Sequence, residues 1–503
     1  MTKLLGIYDD WASAQNVLTR LHAHGIAPRC LTLADGAPRD ATGWKNPLVW
    51  GSAAGLAASF LLPGGGHVLL AGHLAHTAAI HTLGVTAKAT ATGAVAGSAV
   101  NWLRRSGLNP LAQKEVREAL AAGRFALLVQ GDWLTQQRAA RVLEEPPDAR
   151  LLVLVQRYGW EHQSFLSLYD GMKVWWTSDP EAAVVYRQVG RVVVVVAAPL
   201  APRAAWQDVT QRFLAWCETQ KLACLMLPLG AEYAEIARGC GMALLQVGES
   251  GYFKLPGWKP AGDRAKKVRA GVNQARKAGV RIERYYPSDN NAVTRNEIET
   301  LCHAWNNTHE VDALGWLLEL DPFKLSEHKR YFLARAADGR LTGMLACSPI
   351  CARQGWYLED LIRHPQATRG VSELLVVEAL QQLAAEGAQL ATLATSPLAG
   401  IKPDELTGLF KPLARLLKLI YEHLDAFYHF KALHRFKAKF APSYIEPEYL
   451  ALYPPRIRLQ MITSLMGAFD PAGFTGVAAS KLRRMWGRLQ TPEAPQQNDL
   501  SAQ

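Results

Sequence analysis

Short β-prone runs alternate with amphipathic stretches from the first residues onward. Leu4 to Tyr8 is apolar and β-prone, and Asp9 or Asp10 can cap a helix running to about His24. Cys30 to Leu33 reads as a second strand. The pattern then changes: no Asp, Glu, Lys or Arg occurs between Lys45 and Lys88, nor again before Arg104. This stretch is rich in Gly and Ala, with Trp50 and Trp102 near its ends. Regular patterning returns with a helix from Leu111 to Ala122, a strand from Phe125 to Gln130 and a helix from Leu134 to Leu143.

Pro146-Pro147 marks a boundary, which sets a small α/β unit over 1–145 before a larger one over 150–455. Leu151 to Val155 and Val192 to Ala197 are continuous apolar runs, as expected of strands covered on both faces. Ser164–Tyr169, Val174–Thr177 and Val184–Arg187 add alternating strands. A helix from about Arg203 to Gln220, a strand Cys224–Leu227 and a helix Ala231–Gly239 follow. A basic helix over 263–278 opens a second set: strand 280–285, helix 294–306, strands near 331–335, 341–348 and 354–361, helix 371–386 and strand 390–395. The expectation is a mixed sheet with helices on its faces, an α/β (α+β) fold in two halves, about 150–260 and 261–455. Basic amphipathic helices are expected over 456–490, notably Lys481–Arg488, and a disordered tail over 491–503.

Length and composition fit this division. At 503 residues the chain exceeds one ordinary core, and 49% hydrophobic with 20% charged residues excludes a largely disordered chain. A net charge of +11 favours an anionic partner, either RNA phosphates or an acidic membrane surface. The seven cysteines (30, 217, 224, 240, 302, 347 and 351) lack paired spacing, so they read as reduced thiols and no zinc site is assigned. The N-terminal residues have no apolar core of a secretory signal, which implies a cytoplasmic location. For the uncharged stretch, taken as a Gly/Ala-rich helical hairpin over 46–103, two settings stay open. Small residues let helices pack closely within protein or lipid. The run Pro47–Pro63 is short for a span, yet suits a re-entrant or interfacial hairpin. His67, His73, His76 and His81 interrupt it without accompanying carboxylates or thiols, so they read as polar or interfacial positions and no metal is called.

The candidate chemistry gathers at Trp356–Gly370, W-Y-L-E-D-L-I-R-H-P-Q-A-T-R-G. A strand leads to Asp360, Arg363 and His364, taken as one loop, and Thr368-Arg369-Gly370 opens the next helix. Free N–H groups at that helix start and its dipole suit an anion. A second cluster interleaves aromatics and bases from Phe427 to Phe440, including Tyr428, Arg435, Lys437 and Lys439. Cations there would hold phosphates, and Tyr428 could stack on a terminal base. Along the basic helix, Lys266, Lys267, Arg269 and Arg276 form a candidate RNA footprint. Ser396 has no nearby His–Asp pattern, so it reads as a residue of a turn beside the site, not as a nucleophile. By themselves, Asp360 and Arg363 read equally as a simple pair in an ordinary connection, whereas the alternating cluster reads more readily as a half-buried strand or helix with a solvated face and the basic helix as a solvated charge run.

Several blocks in order resemble the catalytic domain of the phosphatidylglycerol lysyltransferases, the multiple peptide resistance factor family. They are Tyr252–Gly257, Asp263–Gly279, Trp305 with Gly315-Trp316, Glu359–His364 with Thr368–Gly370, Ser396–Gly400 and Phe427–Phe440. The resemblance implies tandem GNAT-like acyltransferase halves, an aminoacyl-tRNA donor and a phosphatidylglycerol-type acceptor, with no cofactor. It implies catalytic roles for Asp360, Arg363, Lys437 and Lys439, and substrate contacts from Arg435, His364, Arg369, Ser396 and Tyr428. Residues 1–145 resemble small general-stress-protein-like domains with an apolar hairpin. Family members usually carry a long multi-span membrane domain before the catalytic one, and here the small Gly-rich domain stands there. The expected setting is the inner face of the cytoplasmic membrane. The alternatives are a soluble acceptor or an acyl-CoA donor, the latter disfavoured by the degenerate loop Thr368–Glu373, and a non-catalytic binding module.

Overall fold

The computed structural model describes residues 2–27, 31–34, 58–61, 67–70, 108–143 apart from 109 and 123, and 148–308 apart from 170 and 290; it further describes 320–400 apart from 398, 430–456, 460–461 and 464–465. The first sheet uses β1 (Thr2–Tyr8), β2 (Leu31–Ala34), β3 (Ala58–Leu61), β4 (His67–Leu70) and β5 (Phe125–Gln130) in the order β1-β5-β2-β4-β3. Its helices are α1 (Trp11–Ala23), α2 (Pro110–Ala121) and α3 (Trp133–Val142). Asp10 caps α1 by accepting from Ser13 N at 2.8 Å, and Asp132 caps α3 through Thr135 N at 2.8 Å. Alternation along β5 sends Phe125, Leu127 and Val129 toward α1 and α3, and Ala126 and Leu128 toward α2. The described part of the apolar stretch 46–103 is an antiparallel β3–β4 pair rather than helices. The remainder of that stretch lies outside the described residues.

The second sheet has eleven strands. They are β6 (Lys173–Ser178), β7 (Glu181–Val189), β8 (Val192–Val196), β9 (Ala223–Gly230), β10 (Ala243–Lys254), β11 (Arg281–Tyr285), β12 (Arg330–Arg335), β13 (Leu341–Ile350), β14 (Gly355–Arg363), β15 (Leu390–Pro397) and β16 (Tyr444–Tyr453). Its helices are α4 (Ala149–Tyr158), α5 (Trp206–Thr219), α6 (Ala231–Gly239), α7 (Lys266–Lys277), α8 (Ala292–Thr308), α9 (Val371–Ala385) and α10 (Phe430–Ala438). The order is β11-β12-β13-β14-β15-β10-β16-β9-β8-β7-β6. Two units of like connectivity emerge. In one, β8-α5-β9 makes a parallel pair through a crossover helix; in the other, β14-α9-β15 does the same. Each unit's last strand crosses over: β10 pairs with β15, β16 pairs with β9, and β10 and β16 meet in the middle. The two halves thus repeat one connectivity and complete one another's sheet.

Two expected strands are helical. Leu151–Val155 lies in α4, where Asp148 accepts from Arg150 N at 2.8 Å and Leu151 N at 3.1 Å, and Leu151, Leu154 and Val155 share the buried face. A cap and an i, i+3, i+4 stripe outweigh the β preference of its valines. Ser164–Leu168 forms a buried 3-10 turn, not a strand. The core beneath the second half is built on α9, which buries Val371, Leu374, Leu375, Val376, Val377, Ala379, Leu380 and Leu383 between the sheet and α7. Gly370, at φ 95°, starts this helix, and a Cβ there would meet Gly271 O of α7 at 2.0 Å. Glycine at 370 is what lets the two backbones approach so closely, and a Cβ at Gly271 would press on the Glu373 side chain at 3.1 Å. Among the described residues no helix is long and apolar enough to cross a membrane.

Candidate functional site

β14 and β15 are bridged only from Gly355–Tyr357 to Leu390–Thr392. Beyond Tyr357 both strands continue, β14 to Arg363 and β15 to Pro397, without pairing to each other. The equivalent pair β8–β9 stays bridged along all of Val192–Val196, so the opening belongs to the second half. Each flanking strand carries an irregularity. On β14, Ala346 faces Asp360 while Cys347 faces Leu358, which leaves Glu359 as the extra residue of a bulge. Leu358 and Leu361 therefore pack toward α9, and the acids Glu359 and Asp360 fall together on the opposite side with Ile362. On β15, Ala394 adopts φ 58°, and its N–H donates to Thr392 Oγ1 at 2.9 Å. The cleft lies at the carboxyl ends of parallel strands, where open α/β sheets bind ligands.

The acids are treated unequally. Lys329 Nζ, on a fully buried side chain, lies 2.9 Å from Glu359 Oε2 and donates to Tyr169 Oη at 3.1 Å. Ser348 and Tyr169 donate to the Glu359 carboxylate as well. Burial alone would raise the Glu359 pKa, but the lysine charge and these hydrogen bonds hold it below the ordinary value. Asp360 accepts no hydrogen bond among the described residues. Burial, followed by the charge of Glu359, pushes its pKa up to about 8 against the pull of Lys329. Among the described residues Asp360 forms no ion pair, and Lys329 acts on it only at longer range.

Across the opening, Lys437 of α10 donates to the carbonyls of Ala394 at 3.2 Å and Thr395 at 2.6 Å. Burial lowers its pKa to about 8, although Glu448 favours the charge. Glu448 accepts from Ser250 Oγ and from Thr395 Oγ1, both at 2.5 Å, and burial raises its pKa. Glu161 accepts from Gly230 N at 3.1 Å and is pushed up to about 7, chiefly by burial. Arg353 clasps Glu446 at 2.9 and 3.2 Å and stacks over Tyr252.

The structure separates several residues that sequence reasoning grouped. Asp360 and Arg363 lie on a strand, not in a loop; Arg363 is exposed at its end, and Arg369 is exposed just before Gly370. His364 Nδ1 accepts from Gln366 N at 3.2 Å in the following turn. The described part of the alternating cluster is the helix α10 and the turn after it: Lys437 of α10 reaches β15, and Lys439, just past the helix, reaches Glu373 Oε1 at 2.7 Å in the first turn of α9. Arg435 is exposed on α10, and Ser396 is buried within β15 rather than in a turn. Tyr428 and Gly315-Trp316 lie outside the described residues, as do residues 466–503. On α7, Lys266 and Lys267 are exposed, but Arg269 donates to Pro260 O and Gly262 O, and Arg276 pairs with Glu378 at 2.6 Å. Sequence reasoning missed Glu161, His162, Lys329, Tyr357 and Glu448, which come from segments up to almost 300 residues apart. Tyr357 and Glu359 carried a local signal, both standing inside the quoted motif.

Residues 153–452 match the family model described as phosphatidylglycerol lysyltransferase, C-terminal. Among curated relatives, the lysylphosphatidylglycerol biosynthesis bifunctional protein LysX of Mycolicibacterium gilvum is 23% identical over 339 residues, covering 67% of this chain and 30% of that protein. An uncharacterized protein of Corynebacterium glutamicum is 23% identical over 294 residues, covering 56% of this chain and 36% of that one. This chain thus spans about a third of the length of such relatives. Among solved structures, the C-terminal domain of a candidate lysylphosphatidylglycerol synthetase from Agrobacterium fabrum superposes with TM-score 0.54 at 18% identity, covering 64% of this chain and 96% of that one. L-PGS from Bacillus licheniformis gives 0.51 at 17% identity, covering 68% and 98%. Both structural likenesses speak to the fold. The family-model match over more than half of the chain places it in the phosphatidylglycerol lysyltransferase C-terminal family.

Proposed function

We propose that this chain transfers an aminoacyl group from an aminoacyl-tRNA to a hydroxyl of a phosphatidylglycerol-type lipid. The observation that carries the reading is Asp360, without an ion pair among the described residues, on β14 where that strand parts from β15, while Lys437 lies on the β15 side. The donor's α-ammonium supplies the missing charge and ionises Asp360 on binding. Lys437, as an ammonium, spends two donors on Ala394 and Thr395, and the third serves the oxygen that gains charge at the ester carbonyl. The acceptor oxygen attacks that carbonyl and a new ester bond forms. The bond to the ribose oxygen breaks, and the proton lost by the acceptor ends on the departing ribose hydroxyl. Arg363, Arg369, Lys266 and Lys267, all exposed, offer charge to RNA or headgroup phosphates. His364 and Arg435 stand on the same surface-facing segments, and the apolar stretch 46–103 with the basic segment 456–490 supplies the membrane contact.

Lipid extracts from cells with and without the protein, with Asp360→Asn as control, test the reading. The expected result is a ninhydrin-positive phospholipid that appears only with the unmutated chain and requires intact charged tRNA in vitro. An unchanged lipid profile together with no consumption of aminoacyl-tRNA by the purified chain removes the reading.

A further inference from the structure

The segment Gly159–Ser164 fills the seam between the halves. Gly159 O accepts from Ala352 N of the second half at 3.1 Å, and Glu161 is tied to Gly230 N of the first. Between these anchors His162 is 1% exposed. Its ring meets Tyr357 edge-on at 5.2 Å, and Tyr357 is the last β14 residue bridged to β15. His162 therefore stands where the two strands part. Nδ1 lies 3.5 Å from Glu448 Oε1, beyond a well-formed hydrogen bond, and neither ring nitrogen has a hydrogen-bond partner among the described residues. Glu448 is already satisfied by Ser250 and Thr395. A buried imidazole with both nitrogens unmet is uncommon, because each unmet group forfeits its bond to water.

We propose that His162 is the binding residue for the acceptor's hydroxyl, a neutral alcohol carried on an anionic headgroup, and that it orients this oxygen toward the donor's carbonyl. The inference rests on the transferase reading above and adds which residue receives the acceptor. A neutral imidazole presents an N–H on one ring nitrogen and a lone pair on the other, pointing apart, and an alcohol can meet either one, accepting from the N–H or donating to the lone pair. Charge sorts the two substrates. Lys437 and Arg353 act on the His162 ring against a further positive charge, with Glu446 and Glu359 opposing them less strongly. Asp360, with Glu359 and Asp321 around it, favours such a charge. Burial, then these cations, pushes the His162 pKa down to about 3, which keeps the ring neutral under physiological conditions. It thus orients the alcohol and does not take up its proton.

The probe is glycerophosphoglycerol, the soluble deacylated headgroup, titrated calorimetrically into the full chain, alongside transfer kinetics on phosphatidylglycerol vesicles. His162→Phe should weaken headgroup binding about tenfold, the loss of one hydrogen bond, and raise the acceptor KM by a similar factor. The aminoacyl-tRNA KM should not move, and His162→Gln should recover part of the loss. Unchanged headgroup affinity and acceptor KM in His162→Phe, with a raised thermal midpoint, would overturn the proposal and leave His162 holding a buried water only. Failure of the wild-type chain to bind the headgroup overturns it too. Should the Phe variant not fold, the KM split of His162→Gln decides in the same way. Headgroup binding without any transfer removes the transferase reading alone; transfer that is indifferent to His162 removes this proposal alone.

Discussion

Lys329 Nζ and Glu359 Oε2 stand 2.9 Å apart beneath the bulge of β14, with the lysine side chain wholly out of solvent. Removing one partner of such a pair strands the other charge in a poorly polarisable interior. Lys329→Met should lower stability by about 3–5 kcal/mol, and Lys329→Met with Glu359→Gln should recover much of it. Chemical unfolding of the three proteins measures both. A single variant as stable as the wild type contradicts the assignment of this pair as a buried ion pair.

Asp360 gives a pH dependence of defined sign. Its folded pKa of about 8 lies above the ordinary aspartate value of 3.8, so the fold favours the neutral acid. Between these values the native state holds a proton that the unfolded chain has released, and stability falls as pH rises through that window. Asp360→Asn has no such loss. Its thermal midpoint should match the wild type near pH 4 and exceed it increasingly toward pH 9, while turnover drops about a hundredfold or more.

Lys437 should set the alkaline limb of catalysis. With pKa values of about 8 for both Asp360 and Lys437, kcat/KM should peak in a narrow band near pH 8, rising as Asp360 ionises and falling as Lys437 loses its proton. Lys437→Arg keeps its charge and should abolish the falling limb, whereas Lys437→Met should cost about a hundredfold. A profile of Lys437→Arg that superposes on the wild type would assign the limb elsewhere.

Gly370 and Gly387 separate backbone conformation from crowding. Both have strongly positive φ, 95° and 91°, but a Cβ at Gly387 meets nothing within 4 Å while one at Gly370 meets Gly271 O at 2.0 Å. Gly387→Ala should cost about 1 kcal/mol from conformation alone. Gly370→Ala should cost at least about 2 kcal/mol more, because α7 and α9 must move apart. Thermal unfolding of the two variants gives the comparison.

Much of the fold was legible where local signals agreed. The motif Trp356–Gly370 ends a strand and starts a helix as its residues suggest, since Gly370 supplies the left-handed start of α9. The strand expectation failed at Leu151–Val155 because apolar residues there serve a capped amphipathic helix, and a run of five cannot reveal which period it follows. Lys437 and Lys439, two apart, looked equivalent. Lys437 lies in the last turn of α10 and Lys439 in the turn after it, so their side chains diverge: one reaches the cleft and the other ties the end of α10 to α9. The bulge that puts Glu359 and Asp360 on one side depends on strand register, and the meeting of His162 with Tyr357 and Glu448 depends on the sheet order. Neither is written locally.

The crossing of β10 and β16 has a consequence for synthesis. Because β9, already paired with β8, gains its second neighbour only with Tyr444–Tyr453, the first half keeps an unpaired edge until that distant strand has left the ribosome. During that interval the apolar backbone of Ala223–Gly230 is a template for any passing strand. Cutting the chain between the halves yields two pieces that each lack a strand, so neither the cleft of the second half nor the solubility of the first survives separation.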